Sequence, residues 1–576
     1  MDSKNKITTD ATFEQAKKFF LIGMGYYEKE LYEEAERFLL LSLNLVPNRL
    51  STLINLSAVL IKLEKIEKAK EFIAKAITLY PNDESIYLIQ GNIFKENKDW
   101  VMALINYEKA IQLKPDYAEA HSNRGSMLIE LDRLEEALAS YDKAIEFKLD
   151  YAEAFYNRGI VFNELNRLDE ALATYEKAIQ LKPEYAEAHS NRGNMLNELN
   201  RLEEALASYD KAIEFKRDYA EAHSNRGALL IKFKRLEEAL VSYDQAIKFK
   251  RDYAEAYFNK SLALLLSGDF GKGFYEYEWR WKVEKAQLKF RRNYSQPLWT
   301  GKQSLLNKTI LLWSEQGLGD NLQFCRYTKL VYELGAKVIL EVPKPLFKLL
   351  KNLEGVSQLV SIGSALPSFD YQCPILSLPL ALNTTIESIP RSIPYISIDI
   401  CRQNLWRERL GNSGFNIAIC WQGSTQGKVD IGRSFPVSFF EGIATINGVR
   451  LISLQKNEGI EQLISLPAGM KVELLPDDFD SGDNAFLDSA AVLKCVDLVI
   501  TSDTALTHLS GALGVMTWLP LQYVPDWRWM LDRSDSPWYP NHRLFRQKTR
   551  GDWTGVFKEM ENELKAMVLT KHNKSI

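Results

Sequence analysis

AEAHSNRGSMLIELDRLEEALASYDKAIEFKLDY, residues 118–151, returns two periods later as AEAHSNRGNMLNELNRLEEALASYDKAIEFKRDY, residues 186–219. Working outward in steps of 34, Gly125, Gly159, Gly193 and Gly227 each close an Asn-Arg-Gly triplet. Gly91, Ser57 and Gly23 precede them in phase and Ser261 follows. Such a period is the signature of stacked helical hairpins, each too small to bury its own apolar face. Small residues recur where the helices of a hairpin must approach: Ala35, Ala69, Ala103, Ala137, Ala171, Ala205 and Ala239. A second series, Ala76, Ala110, Ala144, Ala178, Ala212 and Ala246, serves the contact with the next repeat. Tyr107, Tyr141, Tyr175, Tyr209 and Tyr243 supply bulk between layers, and Pro47, Pro81, Pro115 and Pro183 stop the second helix.

The register resembles the tetratricopeptide (TPR) consensus, which implies an α-solenoid over residues 16–285, about eight repeats, after a polar tail at 1–15. Leu149, Arg217 and Arg251 replace the stop proline, so less rigid turns are expected there. In the last unit Gly273 and Arg280 occupy the two small-alanine positions, where close packing is expected to fail and the solenoid to end or merge.

With 576 residues, 46% of them hydrophobic, the chain has material for one or two further domains. No apolar run reaches membrane-spanning length and MDSKNKITTD lacks a signal peptide's apolar region, so a cytoplasmic protein with no transmembrane segment is expected. The five cysteines, Cys325, Cys373, Cys401, Cys420 and Cys495, form no CxxC pair and read as reduced core residues. A formal net charge of −4 provides no general attraction to nucleic acid.

After residue 300 the pattern changes to short apolar runs alternating with helices. KTILLWSE (308–315), KVILEVP (337–343), VSQLVSIG (356–363) and YQCPILSLP (371–379) read as strands, with a helix near 320–334. FNIAICW (415–421), VRLISLQ (449–455), MKVELLP (470–476), VDLVIT (496–501) and VMTWLPL (515–521) form a second set. The expected order is a linker at 286–304, a first α/β domain at 305–400, a linker at 401–414 and a second α/β domain at 415–570 with a closing helix, then a tail at 571–576. Two doubly wound domains facing a cleft would bind ligand at the carboxyl ends of their strands.

Two loops fall at such ends. In Glu315-Gln316-Gly317-Leu318-Gly319-Asp320, Gly317 and Gly319 permit close backbone approach and Asp320 is placed to act as a base; a tight turn with a capped helix reads equally well from this loop alone. In the second, 501–508, Asp503, Thr504, Ala505 and His508 bring hydroxyls and helix-start amides to where a diphosphate would sit; an ordinary helix cap with a packed histidine is the plainer alternative.

With the junction Tyr277-Glu278-Trp279-Arg280-Trp281, DTALTHLSGALG (503–514), Asp526-Trp527-Arg528-Trp529 and DSPWYP (535–540), residues 270–565 resemble heptosyltransferase-like GT-B glycosyltransferases, in the branch fused behind bacterial TPR arrays. The resemblance implies a GT-B fold of two Rossmann-like domains and a catalytic base at Asp320. It also implies diphosphate binding by Asp503, Thr504 and Ala505, with Arg433 of RSFP as the neutralising cation. Ala505 departs from the family's glycine. Gln422 completes the donor set with Lys456, which also reads as a solvated strand end, while Asp477, Asp478 and Asp480 read as a solvated loop. Tryptophans 527, 529 and 538 suit a base or sugar stack as well as a core. The resemblance implies a nucleotide sugar as donor, and neither metal nor other cofactor is expected.

Asn123, Asn157, Asn191, Asn225 and Asn259, in one phase with Asn55, resemble the carboxamide ladder of O-GlcNAc transferase repeats, which implies a polypeptide acceptor; asparagine is also ordinary at this TPR position. The fusion branch includes flagellin glycosyltransferases. A lipid-linked glycan acceptor and an inactive interaction scaffold are the alternatives.

Overall fold

The computed structural model describes residues 2–283, 292–411, 413–425, 430, 432–482 and 485–575, with side chains from 10 to 569. The chain forms two compact units, Met1–Leu229 and Leu230–Ile576.

The first unit is built of helical hairpins such as Ala118–Glu130 with Leu134–Phe147 and Ala186–Glu198 with Leu202–Phe215. Residues 2–15 are not a tail but the start of the helix Asp2–Tyr27. Both alanine series are fully buried, as at Ala103, Ala110, Ala137 and Ala144. The triplet glycine has a partner in the tyrosine sixteen residues later: a Cβ on Gly125 would lie 2.8 Å from Tyr141, and one on Gly91 2.5 Å from Tyr107. Only hydrogen at that position leaves room for the ring. The triplet arginine reaches back to a carboxylate on the preceding helix, at 3.2 Å for Arg124–Glu108 and 2.7 Å for Arg158–Asp142. Partly exposed pairs of this kind contribute about 0.2–1 kcal/mol each.

The turn inside each hairpin uses an unexpected device. Glu30, Glu64, Lys98, Asp132, Asn166 and Asn200, again 34 apart, all have φ between 56° and 59°. Arg133 N–H donates to Leu128 O (2.8 Å) and Asp132 N–H to Ile129 O (2.9 Å), a Schellman closure around a left-handed residue. The turns carrying Leu149 and Arg217 keep the geometry of the proline-bearing ones, since Lys148 and Lys216 have φ −140° and −135° against −137° at Lys114.

The second unit begins inside the repeats, with the helices Leu236–Phe249, Ala254–Ser267 and Phe270–Tyr277. Close packing does not fail at Gly273: a Cβ there would meet the Leu265 side chain at 2.7 Å, so glycine is what lets these helices touch. Leu265, Phe270, Phe274 and Tyr277 enter the same core as Ile310, Leu312, Trp527 and Trp538, so the last hairpin is part of the α/β body. The stretch expected as a linker at 286–304 lies partly outside the described residues. Its described part includes Trp299, buried, with its main-chain N–H donating to Gln372 O at 2.8 Å.

Two parallel sheets follow. Strands β1 (Thr309–Trp313), β2 (Lys337–Val342), β3 (Gln358–Ser361) and β4 (Tyr371–Pro374) have the order β3-β2-β1-β4. Strands β5 (Phe415–Cys420), β6 (Val449–Ser453), β7 (Val472–Glu473), β8 (Leu498–Thr501), β9 (Thr517–Leu521) and β10 (His542–Arg546) have the order β10-β9-β8-β5-β6-β7. Central strands are apolar along their length because both faces are covered; β5 is buried at all six positions. Residues 400–410 are not a linker but the helix Ile400–Leu410, anchored by the Trp406 Nε1–H donating to Asp488 at 2.7 Å. The final helix, Trp553–Ser575, packs Val556, Phe557, Met560 and Leu564 against Phe435, Phe440 and Trp518 and extends through most of the expected tail.

Candidate active site

In a doubly wound sheet, the strand order reverses at one point and leaves a crevice at the carboxyl ends of the strands on either side. Here those points are β1/β4 in the first sheet and β5/β8 in the second.

The first crevice is filled by protein. Glu315, just past β1, has a side chain only 2% exposed and takes both its oxygens to Arg280, Nε and Nη2 donating at 2.9 Å each. Leu376 N–H, beyond β4, donates to the same carboxylate at 3.1 Å, and Arg280 also donates to Ser377 Oγ (2.8 Å) and Glu278 (2.6 Å). The guanidinium lies between the rings of Tyr277 and Trp281, 4.8 and 4.6 Å from their centroids. This is a fully satisfied buried ion pair, and it explains the YEWRW junction as a plug. Both Glu315 oxygens are engaged by the fold, while burial pushes its carboxyl above the ordinary range against the pull of Arg280.

The helix Leu318–Phe324 starts just beyond, from Gly317. Asp320 Oδ2 accepts from the Gly317 N–H (2.9 Å), so the residue does cap its helix. Its Oδ1 accepts from Arg528 Nη2 at 2.5 Å, a partner 208 positions away. Arg528 is itself held by Gln323 Oε1 (2.6 Å) and Asp526 Oδ1 (2.9 Å) and covered by Trp527. Burial pushes the Asp320 carboxyl above its ordinary range, with Arg528 opposing. Gly319 is required by packing rather than by an approaching ligand. A Cβ there would fall 2.8 Å from His508 Cδ2 and 3.4 Å from Ala505 Cα, so this glycine lets the helix Ala505–Ala512 press against the first loop.

The second crevice differs. Thr504 is the N-cap of the helix Ala505–Ala512 with no side-chain cap bond, its hydroxyl 3.4 Å from that of Thr501. Asp503 precedes it, and burial together with the charge of Asp526 pushes its carboxyl up to about 6, while Arg528 and Arg433 pull the other way. Arg433 donates to Asp430 Oδ1 at 3.1 Å and lies over Gly423, where a Cβ would come 2.6 Å from Nη2. The structure therefore brings Asp320, Asp503, Asp526, Arg528 and Arg433 into one electrostatic neighbourhood at the ends of both sheets. Asp526 and Arg528 were quoted from the sequence only as part of a resemblance; the DWRW motif was the available signal.

Other expected site residues are occupied elsewhere. His508 Nδ1 lies 3.0 Å from Tyr539 OH with its ring stacked on Trp529, and burial holds its pKa well below the ordinary value. It is a neutral packing residue under Gly319. The Gln422 main-chain N–H donates to Gln455 Oε1 (3.0 Å) and its carbonyl accepts from Gln455 Nε2 (2.9 Å), while its side-chain Oε1 accepts from Gln462 Nε2 at 2.9 Å. Lys456 donates to the carbonyls of Phe479 and Asp480 at 2.7 and 2.9 Å, securing the acidic loop. Asp480 is not solvated: it accepts from the Asp488 N–H (2.7 Å) and Ser489 Oγ (2.5 Å) and so caps the helix Leu487–Leu493. Trp527, Trp529 and Trp538 are buried.

In the repeats, Asn123 Nδ2 donates to Asn92 Oδ1 (3.3 Å), Asn191 Nδ2 to Tyr156 OH (3.2 Å) and Asn225 Nδ2 to Asn194 Oδ1 (3.0 Å). These carboxamides cross-link neighbouring repeats; Asn157 and Asn259 are half-buried in the same phase. Among the described residues no group of three His, Cys, Asp or Glu is placed to hold a metal ion, and no helix is long and apolar enough to cross a membrane. Cys325, Cys373 and Cys420 are buried thiols, but Cys401 is exposed on its helix and is not a core residue.

The TPR repeat family matches residues 91–128, 125–165, 161–196, 193–232 and 234–268, and the tetratricopeptide repeat family matches 50–83. The solenoid is made of TPR repeats. Protein FlbA of Caulobacter vibrioides is 28% identical over 317 residues, which cover 51% of this chain and 52% of FlbA. The chain thus spans about half the length of that curated relative. Among solved structures, YrrB, described as a TPR protein with an unusual peptide-binding site, is 27% identical, covering 33% of this chain and 98% of its own at a TM-score of 0.29. Pseudomonas aeruginosa PilF is 20% identical, covering 36% and 94% at 0.34. At these TM-scores neither likeness bears on function.

Proposed function

We propose that the second unit transfers a glycosyl group from a nucleotide sugar to a hydroxyl of a polypeptide that the TPR repeats recruit. The observation that supports this best is the meeting of three carboxylates, Asp320, Asp503 and Asp526, with two guanidiniums, Arg528 and Arg433, at the carboxyl ends of two parallel sheets. Glycosyl transfer needs both charges. A carboxylate accepts the proton of the acceptor hydroxyl as its oxygen bonds to the anomeric carbon, and the bond from that carbon to the phosphate oxygen breaks as cations stabilise the departing diphosphate.

Asp320 is the assigned base, and the raised affinity of its carboxyl for a proton suits that role. Arg528 keeps its bonds to Asp526 and Gln323 when Asp320 is protonated, so the guanidinium stays anchored through the step. Arg433 and the uncapped start of the helix Ala505–Ala512 supply positive charge for the diphosphate without a metal. The acceptor class that the sequence resemblance implies is flagellin or another surface protein.

A second reading, a TPR interaction scaffold with an inactive second unit, has its own support. Both oxygens of Asp320 are already engaged, one by Arg528 and one by the Gly317 N–H. Asp320→Asn separates the two readings. Transfer, or slow hydrolysis of the nucleotide sugar, should fall by roughly 100-fold or more with donor affinity nearly unchanged. Unchanged turnover, or no turnover in the wild type with any nucleotide sugar, would overturn the transferase reading.

A further inference from the structure

The charged residues at the strand ends sit where the two sheets of the second unit meet, and the way they meet limits how the site can move. Domains that swing about a hinge each bury a core of their own and touch through smaller, more polar surfaces. Here one core takes in Leu312 and Leu340 of the first sheet together with Ala418, Ile452 and Val499 of the second. A Cβ on Gly319 would already meet His508, so there is no slack between the two loops either.

Two guanidiniums cross this boundary in opposite directions. Arg528, from the second sheet's side, is bonded to Asp320 and Gln323 of the first. Arg326, just past the helix Leu318–Phe324, answers it from the first sheet's side and is 4% exposed. Its Nη1 donates to Trp538 O (2.7 Å) and Pro390 O (3.2 Å), Nη2 to Tyr395 OH (2.9 Å) and Nε to Gln323 O (2.7 Å). The guanidinium lies over the rings of Tyr395 and Tyr539, 4.7 and 4.6 Å from their centroids. Its partners are thus carbonyls, a phenol and ring faces rather than a carboxylate. Tyr395 belongs to the segment that connects the two sheets. Its OH donates to Leu322 O at 2.8 Å and its main-chain N–H to Ala512 O at 3.0 Å, which ties that segment to a helix of each sheet.

We infer that Arg326 is the clasp that holds the two sheets closed as one rigid body, so that Asp320 and Asp503 stand in register before any ligand arrives. A buried cation needs its partners together, and those of Arg326 come from three segments: Gln323 on the first helix, Pro390 and Tyr395 on the connection, and Trp538 beyond β9. Separating the sheets would strip Arg326 of Trp538 and expose the shared core in the same step. That coupling favours one closed arrangement over a range of openings, because packed interiors do not deform continuously. Ligand then enters a site already formed, in place of two domains closing on it. Arg326 acts only through the register of the two loops and is a positioning residue. The inference goes beyond the transferase reading and does not depend on it.

The test reads the separation of the sheets in the full chain with no ligand added. Spin labels carried on non-native amino acids replace Lys351, in the turn between β2 and β3, and Glu559, on the helix Trp553–Ser575 that packs against the second sheet; both positions are exposed. Pulsed dipolar spectroscopy of the otherwise wild-type chain should give one narrow distance distribution centred on the separation in this structure. Arg326→Ala should add a second, longer population. Tyr395→Phe keeps the ring and loses only the hydroxyl bonds, and should broaden the distribution to a smaller extent. A broad or two-peaked distribution without either substitution would overturn the rigid body. An unchanged narrow distribution in Arg326→Ala would overturn the clasp; if that variant does not fold, an unchanged distribution in Tyr395→Phe does so instead. Because neither donor binding nor transfer is measured, failure of the transferase reading would leave this result standing, and the reverse.

Discussion

Glu315 after β1 and Asp503 after β8 occupy equivalent places, each the first acidic residue beyond a buried parallel strand at a reversal of strand order. Their surroundings are opposite. Glu315 meets a guanidinium through both oxygens and a main-chain N–H besides, and the crevice is closed. Asp503 has a second carboxylate, Asp526, as its neighbour and is pushed up to about 6, with Arg433 and Arg528 opposing. The difference separates two uses of a buried carboxylate. Burial raises both carboxyls, but the oxygens of Glu315 are taken up in joining Arg280 to Leu376, whereas Asp503 has a second carboxylate as its main charged neighbour and is the better candidate to meet a ligand.

The largest test of this contrast breaks the closed crevice. Arg280→Ala leaves Glu315 buried without its partner and should destabilise the second unit by about 3–5 kcal/mol, read as a drop in denaturant midpoint. Replacing both together, Arg280→Met with Glu315→Leu, should recover much of that loss, because the charge that needs compensation is gone. A single variant as stable as wild type would show that the pair does not join hairpin to sheet.

A middle-sized effect is expected at Asp503. The folded carboxyl of Asp503 has a raised pKa, so its contribution to stability is fully present below about pH 4 and is lost as pH rises through about 6. Asp503→Asn should therefore raise the melting temperature at pH 7.5 and change it little at pH 4.5. Equal shifts at the two pH values would place the like-charge strain elsewhere.

The smallest effect is in the repeats, where strain sits in the backbone. Lys98 holds φ 57° in its turn. Lys98→Gly relieves the left-handed penalty at the cost of chain entropy, for a net gain of about 0.5 kcal/mol. Loss of stability on this change would mean that the lysine side chain contributes more than the turn conformation costs.

The repeats were legible because their information is local. Each alanine, tyrosine and glycine answers to a neighbour within a few tens of residues, and the period reports the packing directly, down to Gly125 beneath Tyr141. The strands from β1 to β9 were equally readable as apolar runs. By contrast, β10, whose segment HRLFR has only the apolar pair Leu544-Phe545 between charged residues beside the turn at Asn541, was not anticipated. Residues 401–410, polar enough to pass for a linker, become a helix once Trp406 finds Asp488.

By itself the sequence determined the TPR solenoid, two runs of β/α units, and two loops at strand ends where a ligand is expected. Tertiary structure alone decided which charged residues are spent. Arg280 closes on Glu315, Lys456 on the carbonyls of Phe479 and Asp480, and Arg528 reaches Asp320 across 208 positions. The physical reason is that helix and strand patterns arise from periodic contacts near in sequence, while a charge takes whatever partner the folded chain brings within hydrogen-bonding distance. Asp320, Glu315 and Asp503 look alike in a loop, and only their neighbours distinguish a cap, a plug and a candidate ligand group.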